Sequence, residues 1–332
     1  MDRILLGHGS GGTMMHRLIR EHFAPQFEMK SLNDSAVLEG INQGQIALTT
    51  DSYVVSPIFF PGGNIGDLAV YGTVNDLSMV GASPLYITVG LILEEGFPFD
   101  DLKKILSSMS TAALKAGVKI VAGDTKVVNK GKGDGIFINT SGVGIIEEGL
   151  EISPSKVKPG DKVIVSGPIG NHGISVMAER NGLTFDPPVL SDAAPLNSLV
   201  RDMLNTTKEI CAMRDPTRGG LATTLKEFAT DSGYCIIIEE DLIPVPPGVR
   251  GACELLGLDP LYVANEGILV AIVSPHVAES LISVMKKNPL GKETRLIGDV
   301  QEAPSEMVLL KTSIGGTRIV EMLSGDQLPR IC

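Results

Sequence analysis

Ser153-Pro154-Ser155-Lys156-Val157-Lys158-Pro159-Gly160 lies near the middle of the chain, between two long halves of apolar patterning. Its prolines, serines and closing glycine suit a turn-rich connector, and neither a helix nor a central strand. At 332 residues the chain exceeds the size at which one hydrophobic core usually divides, so this break reads as a boundary between two domains. On its amino-terminal side, β-type runs at 45–50, 86–93, 119–122 and 136–146 and helical runs at 66–80 and 100–116 outline a domain over residues 37–150. On the other side, strands at 162–166, 235–239, 268–273, 295–300 and 307–311, with helices between them, outline a second domain over residues 160–323. Residues 1–36 form an arm with a Gly-rich loop, an amphipathic helix over 13–23 and Pro25 as a breaker. Residues 324–332 form a flexible tail. Strands and helices mix without strict βαβ spacing, so the fold class is α/β or α+β.

Composition narrows the function. Hydrophobic residues make up 43% of the chain and aromatics 4%, with no Trp, so the core is aliphatic, as in well-covered α/β sheets. A net charge of −11 argues against a nucleic-acid or anionic-membrane surface, which needs clustered Lys and Arg. Cys211, Cys235, Cys253 and Cys332 show no CxxC spacing and read as reduced thiols. Met1-Asp2-Arg3-Ile4 does not begin a signal peptide, and no apolar run has transmembrane length, so the expected compartment is the cytoplasm.

The sequence closes on Pro329-Arg330-Ile331-Cys332, after the polar run Ser324-Gly325-Asp326-Gln327, which no core readily holds. A thiol on a free arm is either an incidental cysteine or a chemical handle. With a thiol pKa starting near ~8.5 it needs a base or positive charge supplied by another site. Extended from Gly325, the arm reaches roughly 25 Å, enough to swing between a cleft and a partner protein.

Several segments could supply that site. Gly7-His8-Gly9-Ser10-Gly11-Gly12 precedes a helix, so its backbone N–H groups could close on phosphates; a plain mobile loop is the alternative. Asp34, Asp51 and Asp124 each follow or end an apolar run, where side chains emerge at one sheet edge. Asp76, with Asn75, lies inside the apolar helical stretch 68–80, where a buried carboxylate costs several kcal/mol unless partnered. Singly these suit turns or caps; together, converging carboxylates and phosphate oxygens suit Mg²⁺. Lys126, in Gly123-Asp124-Thr125-Lys126, stands where a phosphate clamp would, or on a solvated surface. Arg214-Asp215-Pro216-Thr217-Arg218-Gly219-Gly220 sets two guanidinium groups before a helix over 221–230. Glu266, before an apolar strand, is a base with a raised pKa if it borders a dry cleft and a solvated strand-end residue otherwise. His172 reads as a packing or hydrogen-bonding residue at a helix start.

These segments together resemble the HypE family of carbamoyl dehydratases in hydrogenase maturation, within the PurM-like superfamily that includes aminoimidazole ribonucleotide synthetase. The resemblance runs through His8-Gly9-Ser10-Gly11-Gly12, Asn33-Asp34-Ser35-Ala36-Val37, Thr50-Asp51-Ser52, Asn75-Asp76-Leu77-Ser78, Ala122-Gly123-Asp124-Thr125-Lys126, Asp215-Pro216-Thr217-Arg218-Gly219-Gly220-Leu221 and Asn265-Glu266-Gly267; Pro-Arg-Ile-Cys picks out the family. Asn33 and Asn171 depart from the acidic residues usual there. The resemblance implies a two-domain fold in which the first domain's mixed sheet forms a barrel across a homodimer and the second is an α/β sandwich. It implies ATP at Gly9, Ser10, Gly11, Gly12, Asp51, Asn75, Asp76, Asp124, Thr125, Lys126, Arg218 and Gly219, and Mg²⁺ at Asp34, Asp51, Asp76 and Asp124. Cys332 would receive a carbamoyl group from the carbamoyltransferase HypF. Lys126 would stabilise the phosphate in transit and Glu266 remove a proton. The resulting thiocyanate would pass to a HypC–HypD complex. Two other readings remain at this point: a small-molecule kinase or synthetase of the same superfamily, and a non-catalytic scaffold with a tethering thiol.

Overall fold

The computed structural model describes residues 3–5, 18–26, 44–323 and 330–332; the Gly-rich loop 7–12, Asn33, Asp34 and the run 324–327 lie outside the described residues. The first domain runs β1 (Gln45–Tyr53), a small hairpin of β2 (Phe59–Phe60) and β3 (Gly63–Asn64), α1 (Ile65–Met79), β4 (Ser83–Glu94), α2 (Phe99–Ala116), β5 (Lys119–Val128) and β6 (Ile136–Ile146). Its main sheet has the order β1-β6-β4-β5. β4 and β5 are parallel, with α2 as their crossover, and the other pairs are antiparallel. Both helices cover one face of this sheet, where Ile87, Val89, Leu91 and Ile138 meet Leu68, Val74, Ile105 and Met109. The opposite face carries Ile46, Leu48 and Ile92 exposed, Leu48 at 74%.

Helix α1 starts where a capping box demands it. Asn64 accepts from Gly66 N at 2.8 Å, and Asp67 reciprocates by accepting from Asn64 N, also at 2.8 Å. Thirteen of its 15 residues are buried, Asp67 and Asp76 being the exceptions, so it lies inside the molecule and not along a surface. One side packs on the first sheet and another faces the second domain, where Asn75 bonds the main chain of residues 194, 196 and 266.

The connector forms a short 3-10 turn (Pro154–Lys156) capped by Ser153. The second domain then runs β7 (Lys162–Val165), α3 (Asn171–Asn181), α4 (Asn197–Thr206), β8 (Ile210–Arg214), α5 (Gly220–Ser232), β9 (Cys235–Glu239), α6 (Pro247–Leu256), β10 (Val270–Val273), α7 (Ala278–Met285), β11 (Arg295–Gln301), β12 (Val308–Lys311) and β13 (Thr317–Val320). These strands make a seven-stranded sheet, β13-β12-β9-β11-β7-β10-β8, parallel only between β9 and β12. Helix α5 packs on one face through Leu221, Leu225 and Phe228, and α4 and α7 on the other through Leu199, Met203 and Leu281. The alternation of β7 follows from that: Val163 and Val165 face α5, while Ile164 faces α4. This is the α/β sandwich expected of the second domain.

Two differences from the sequence reading matter. Strand β8 was not expected, because a five-residue apolar run covered on both faces lacks alternation. More consequentially, the strand expected over 119–122 continues to Val128, and that over 45–50 to Tyr53. Asp51 and Asp124 therefore lie within strands and not beyond their ends, so side-chain alternation decides which face each occupies.

Gly72 offers a test of how tightly α1 fits. A Cβ there would stand 2.2 Å from the hydroxyl of Tyr53, itself 1% exposed. Ala should gain ~1 kcal/mol of helix propensity, but overpacking a rigid ring costs about 1–3 kcal/mol, so the steric term should win. Gly72→Ala should lower the urea midpoint with an unchanged m-value; a raised midpoint would contradict this packing.

Candidate active site

The last three residues of the sequence are held between the two domains. Val54 N donates to the main-chain oxygen of Cys332 at 3.0 Å, and Ser56 N to that of Arg330 at 3.2 Å, so residues 330–332 lie along 54–56 like an added strand. Arg330 returns a bond from Nε to Val54 O at 2.9 Å and pairs with Asp134. Ile331 is 2% exposed and joins the first domain's core. The free, flexible arm expected from the polar run thus does not describe its final segment: an isoleucine beside the thiol gives the core something to hold.

Helix α3 closes over this segment from the second domain. His172 Nε2 lies 2.9 Å from Ile331 O, and its Nδ1 lies 2.9 Å from Ser191 Oγ. A carbonyl can only accept, so Nε2 carries the proton and the Ser191 hydroxyl donates to Nδ1. Burial pushes the imidazole down to about 4, partly offset by that bond to Ile331. The expectation of a hydrogen-bonding helix-start residue describes His172, but its partner is the tail.

The thiol delivered by this docking meets carboxylates. Burial, then the charge of Glu266, push the Cys332 thiol up to about 12, with Arg218 opposing. Glu266 is itself buried; desolvation first, then Asp215, Asp192, Asp51 and Asp76, raise its pKa well above the ordinary glutamate range. It is therefore the dry-cleft residue of the two alternatives, not the solvated one. Its main chain is fixed on both sides. Asn75 Nδ2 donates to Glu266 O at 3.0 Å, and the Asp192 carboxylate accepts from the N–H groups of Glu266 and Gly267 at 3.4 and 3.3 Å. Only glycine fits at 267, where a Cβ would stand 1.8 Å from Asp192 O.

Asp76 and Asp51 come together from α1 and the helix-facing side of β1. Thr49 Oγ1 donates to Asp76 at 2.8 Å, while burial, with Asp51 adding to it, raises the pKa of Asp76. Asp215, which enters from the turn after β8, is pushed up to about 7, first by burial and next by Asp76. Its Oδ2 is buried without a hydrogen-bond partner. Sequence reading draws the two arginines of this segment and not Asp215 as site residues; its burial at the end of a strand that the pattern does not announce is the missing clue. Asp192, pushed up by burial to about 6, gave no motif at all.

Asp124 does not join this group within one chain. Cα partners run Asp124–Gly90–Asn139–Ser52 across the sheet, which puts Asp124 on the face of Ser52 and not of Asp51, three strands or about 14 Å away. There it pairs with Lys126 at 2.8 Å, both side chains exposed, and Lys126 holds its carboxyl below the usual range. Thr125, between them, points into the core, so it is not presented to a nucleotide beside Lys126. Asn75 is likewise not free for one: its amide is buried and engaged at both ends, Oδ1 accepting from Leu196 N at 2.8 Å. Arg214 pairs with Glu227 and lies over Phe228, which leaves Arg218, followed by Gly219 at the start of α5, as the available cation of that segment. Asp76, Asp215, Thr217 and Arg218 line one cleft of about 460 Å³ between the domains. Among the described residues, no group of three or more His, Cys, Asp and Glu stands ready to chelate a metal; of the expected aspartates Asp51 and Asp76 stand together beside Asp215, Asp124 does not join them, and Asp34 lies outside the described residues.

Two family models match the chain: the AIR synthase related protein N-terminal domain over residues 32–146 and its C-terminal domain over residues 158–311. Fold and site thus define an AIR synthase-related protein whose two domains meet at the connector. A carbamoyl dehydratase HypE of Cupriavidus necator is 50% identical over 333 residues, 99% of this chain and 95% of its own length. Among solved structures, a hydrogenase maturation protein HypE in complex with ATP has a TM-score of 0.95 at 46% identity over 99% of each chain. A chain of a HypE–HypF complex has a TM-score of 0.82 at 50% identity, over 92% of this chain and 99% of its own. The chain belongs to the HypE family of carbamoyl dehydratases.

The buried imidazole makes a pH prediction. His172 is depressed from 6.5 to about 4, so between those values the unfolded chain takes up a proton that the native chain refuses. Its stabilising contribution is complete above pH 6.5 and drains as pH falls towards 4, by on the order of 3 kcal/mol. His172→Gln removes this term alone, so the Tm difference between wild type and variant should shift in the variant's favour from pH 7 to pH 4.5. A constant difference would show that His172 is not buried neutral.

Proposed function

We propose that the chain catalyses ATP-dependent dehydration of an S-carbamoyl group carried on Cys332, giving an S-cyano group for hydrogenase maturation. The observation that carries this reading is the docked thiol itself. With its pKa near 12 in this position, Cys332 is a thiol and not a thiolate, so the sulfur is not the attacking group here. A group that it brings in can be acted on instead, by the buried Glu266 beside it.

The chemistry fits those residues. Oxide is a poor leaving group, so the carbonyl oxygen of Cys332–S–C(O)NH₂ attacks the γ-phosphate of ATP and releases ADP. Loss of both nitrogen protons and of phosphate then leaves Cys332–S–C≡N, the carbamoyl oxygen departing in the phosphate. Glu266, with its raised proton affinity, accepts a nitrogen proton, and burial under α3 excludes the water that would hydrolyse the intermediate. Support for ATP comes from the HypE–ATP relative and from the cleft beside Arg218.

The residues fit Mg²⁺. Asp51 and Asp76 are hard oxygen donors, and the unpartnered Oδ2 of Asp215 beside them is a buried acceptor that a cation would satisfy. Held by these residues, the ion would neutralise phosphate charge.

A homodimer would complete the sheet that one chain leaves open. The sheet ends in two edge strands, β1 and β5, and exposes Leu48 and Ile46 on its uncovered face. Closure with a second copy into an eight-stranded barrel would remove both edges and set β5 of one chain beside β1 of the other, with Asp124 and Lys126 of the second subunit on the same face as Ser52. HypF is the proposed carbamoyl donor, by likeness to the HypE–HypF relative, and a HypC–HypD complex the acceptor of the cyano group. A cytoplasmic setting agrees with four free cysteines. No helix among the described residues is long and apolar enough to cross a membrane.

Three variants test the reading. Cys332→Ala should keep ATP binding and abolish cyano-group formation, as followed by mass spectrometry of the tail peptide. Lys126→Ala should stall before ADP release, by about 10²–10³-fold, for loss of one preorganised donor to the phosphate. Glu266→Gln should still form ADP but slow elimination by ~10²–10⁴. An identical block before ADP in the last two, seen by rapid quench, would remove the division of labour between them.

A further inference from the structure

Besides its pairing with residues 54–56 and the Arg330–Asp134 ion pair, the docked segment is gripped through its main-chain oxygens by side chains of α3. His172 Nε2 donates to Ile331 O at 2.9 Å and Arg180 Nη2 to Arg330 O at 2.8 Å. Arg180 Nε donates at 2.8 Å to Ser56 O, in the very stretch along which the segment lies, and Ser175 Oγ donates to Pro61 O at 2.6 Å. One helix of the second domain therefore clasps both the first domain's 54–61 stretch and the tail. The His172 ring is held in this orientation from two further sides, since Ser191 bonds its other nitrogen and Phe60 meets it edge-on at 5.4 Å.

We infer that His172 and Arg180 form a latch that holds Cys332 at the carboxylate cluster, making both of them positioning residues for the dehydration. None of the latch bonds touches the sulfur. The latch therefore closes alike on a free, carbamoylated or cyanated Cys332, and what the sulfur carries is discriminated only by the cluster around it. Neither side chain meets the reacting atoms. Their contribution is to keep the reacting group in place, the kind of effect through which a small misplacement lowers a rate strongly. Losing the His172 donor leaves Ile331 O buried without a partner, an imbalance worth roughly tenfold or more in the docked population.

The proposal rests on the dehydratase reading, but its first test does not. In the full-length protein, without nucleotide, labelling of Cys332 by iodoacetamide reports the undocked population, because the docked thiol is largely covered. His172→Leu, which keeps the packing on Phe60, should label Cys332 about 10-fold faster, whereas His172→Gln, which retains an N–H donor, should label near the wild-type rate. Arg180→Met, at a less buried position, should also speed labelling and guards against a folding defect in the first variant. For the second test, Cys332 is carbamoylated chemically with cyanate, RSH + HNCO giving RS–C(O)NH₂, and one turnover is started with Mg²⁺ and ATP. The rate should fall in His172→Leu by a factor similar to the labelling gain and return in His172→Gln. Unchanged labelling in both His172→Leu and Arg180→Met, or equal behaviour of the Leu and Gln variants, would overturn the latch. Faster labelling without slower turnover would overturn the positioning role. No turnover in the wild-type protein would instead overturn the dehydratase reading, with labelling still deciding the latch.

Discussion

The structure depends on a single buried amide. Asn75 sits at the centre of α1, a helix enclosed on nearly every side, and its Nδ2 and Oδ1 bond three main-chain groups of the second domain, those of Ala194, Leu196 and Glu266. A buried amide is tolerated only when its donors and acceptor are satisfied, so the domains must meet in the one arrangement that satisfies it. That arrangement sets the Glu266 backbone one residue from Asp76 on the same helix. Burial of charge follows from the same closure: exclusion of water is the first cause of the raised proton affinity of Asp76, Asp215 and Glu266, with Asp51 adding to it at Asp76, Asp76 at Asp215 and Asp215 at Glu266.

Sheet alternation sets the second constraint. Asp51 and Asp124 were both legible as chemistry-bearing residues, yet adjacent faces of one sheet separate them, and no rearrangement short of flipping a strand register would unite them within a chain. The uncovered apolar face is one that a second copy would complete. Asymmetry of coverage points the same way. Among the described residues, the second domain's sheet has helices on both faces while the first domain's has them on one only, leaving Leu48 and Ile46 exposed as an apolar surface that a second copy would cover.

Much of the fold was legible because the signals were local. The connector at 153–160, the α1 stretch and the long runs at 119 and 136 are patterns of composition and period, and each corresponds to an element. The site was legible by residue type and much less by placement. Glu266, Asp76 and Cys332 were recognisable, but whether Glu266 was solvated, whether Asn75 faced a ligand and where the tail lay depend on contacts between residues more than a hundred positions apart, such as Asn75 with Glu266 and His172 with Ile331. Asp215 shows the limit most clearly. Nothing adjacent to Asp-Pro announces that one of its oxygens will be buried without a partner; only the closure of the cleft does that.

The same burial has opposite consequences for the two groups at the heart of the site. For Glu266 it raises proton affinity, which a base drawing a proton from nitrogen requires. For Cys332 it suppresses ionisation, which a nucleophile cannot tolerate. A cluster of carboxylates around a thiol is thus a poor place to load the sulfur and a suitable place to transform what it already holds. Loading then belongs to a position where the thiol is exposed to a partner. A segment moving between two such positions would have to be gripped without regard to its cargo. Bonds from His172 and Arg180 to main-chain oxygens meet that requirement, since the peptide carbonyls of residues 330 and 331 stay the same whatever the sulfur carries and lie within reach of α3.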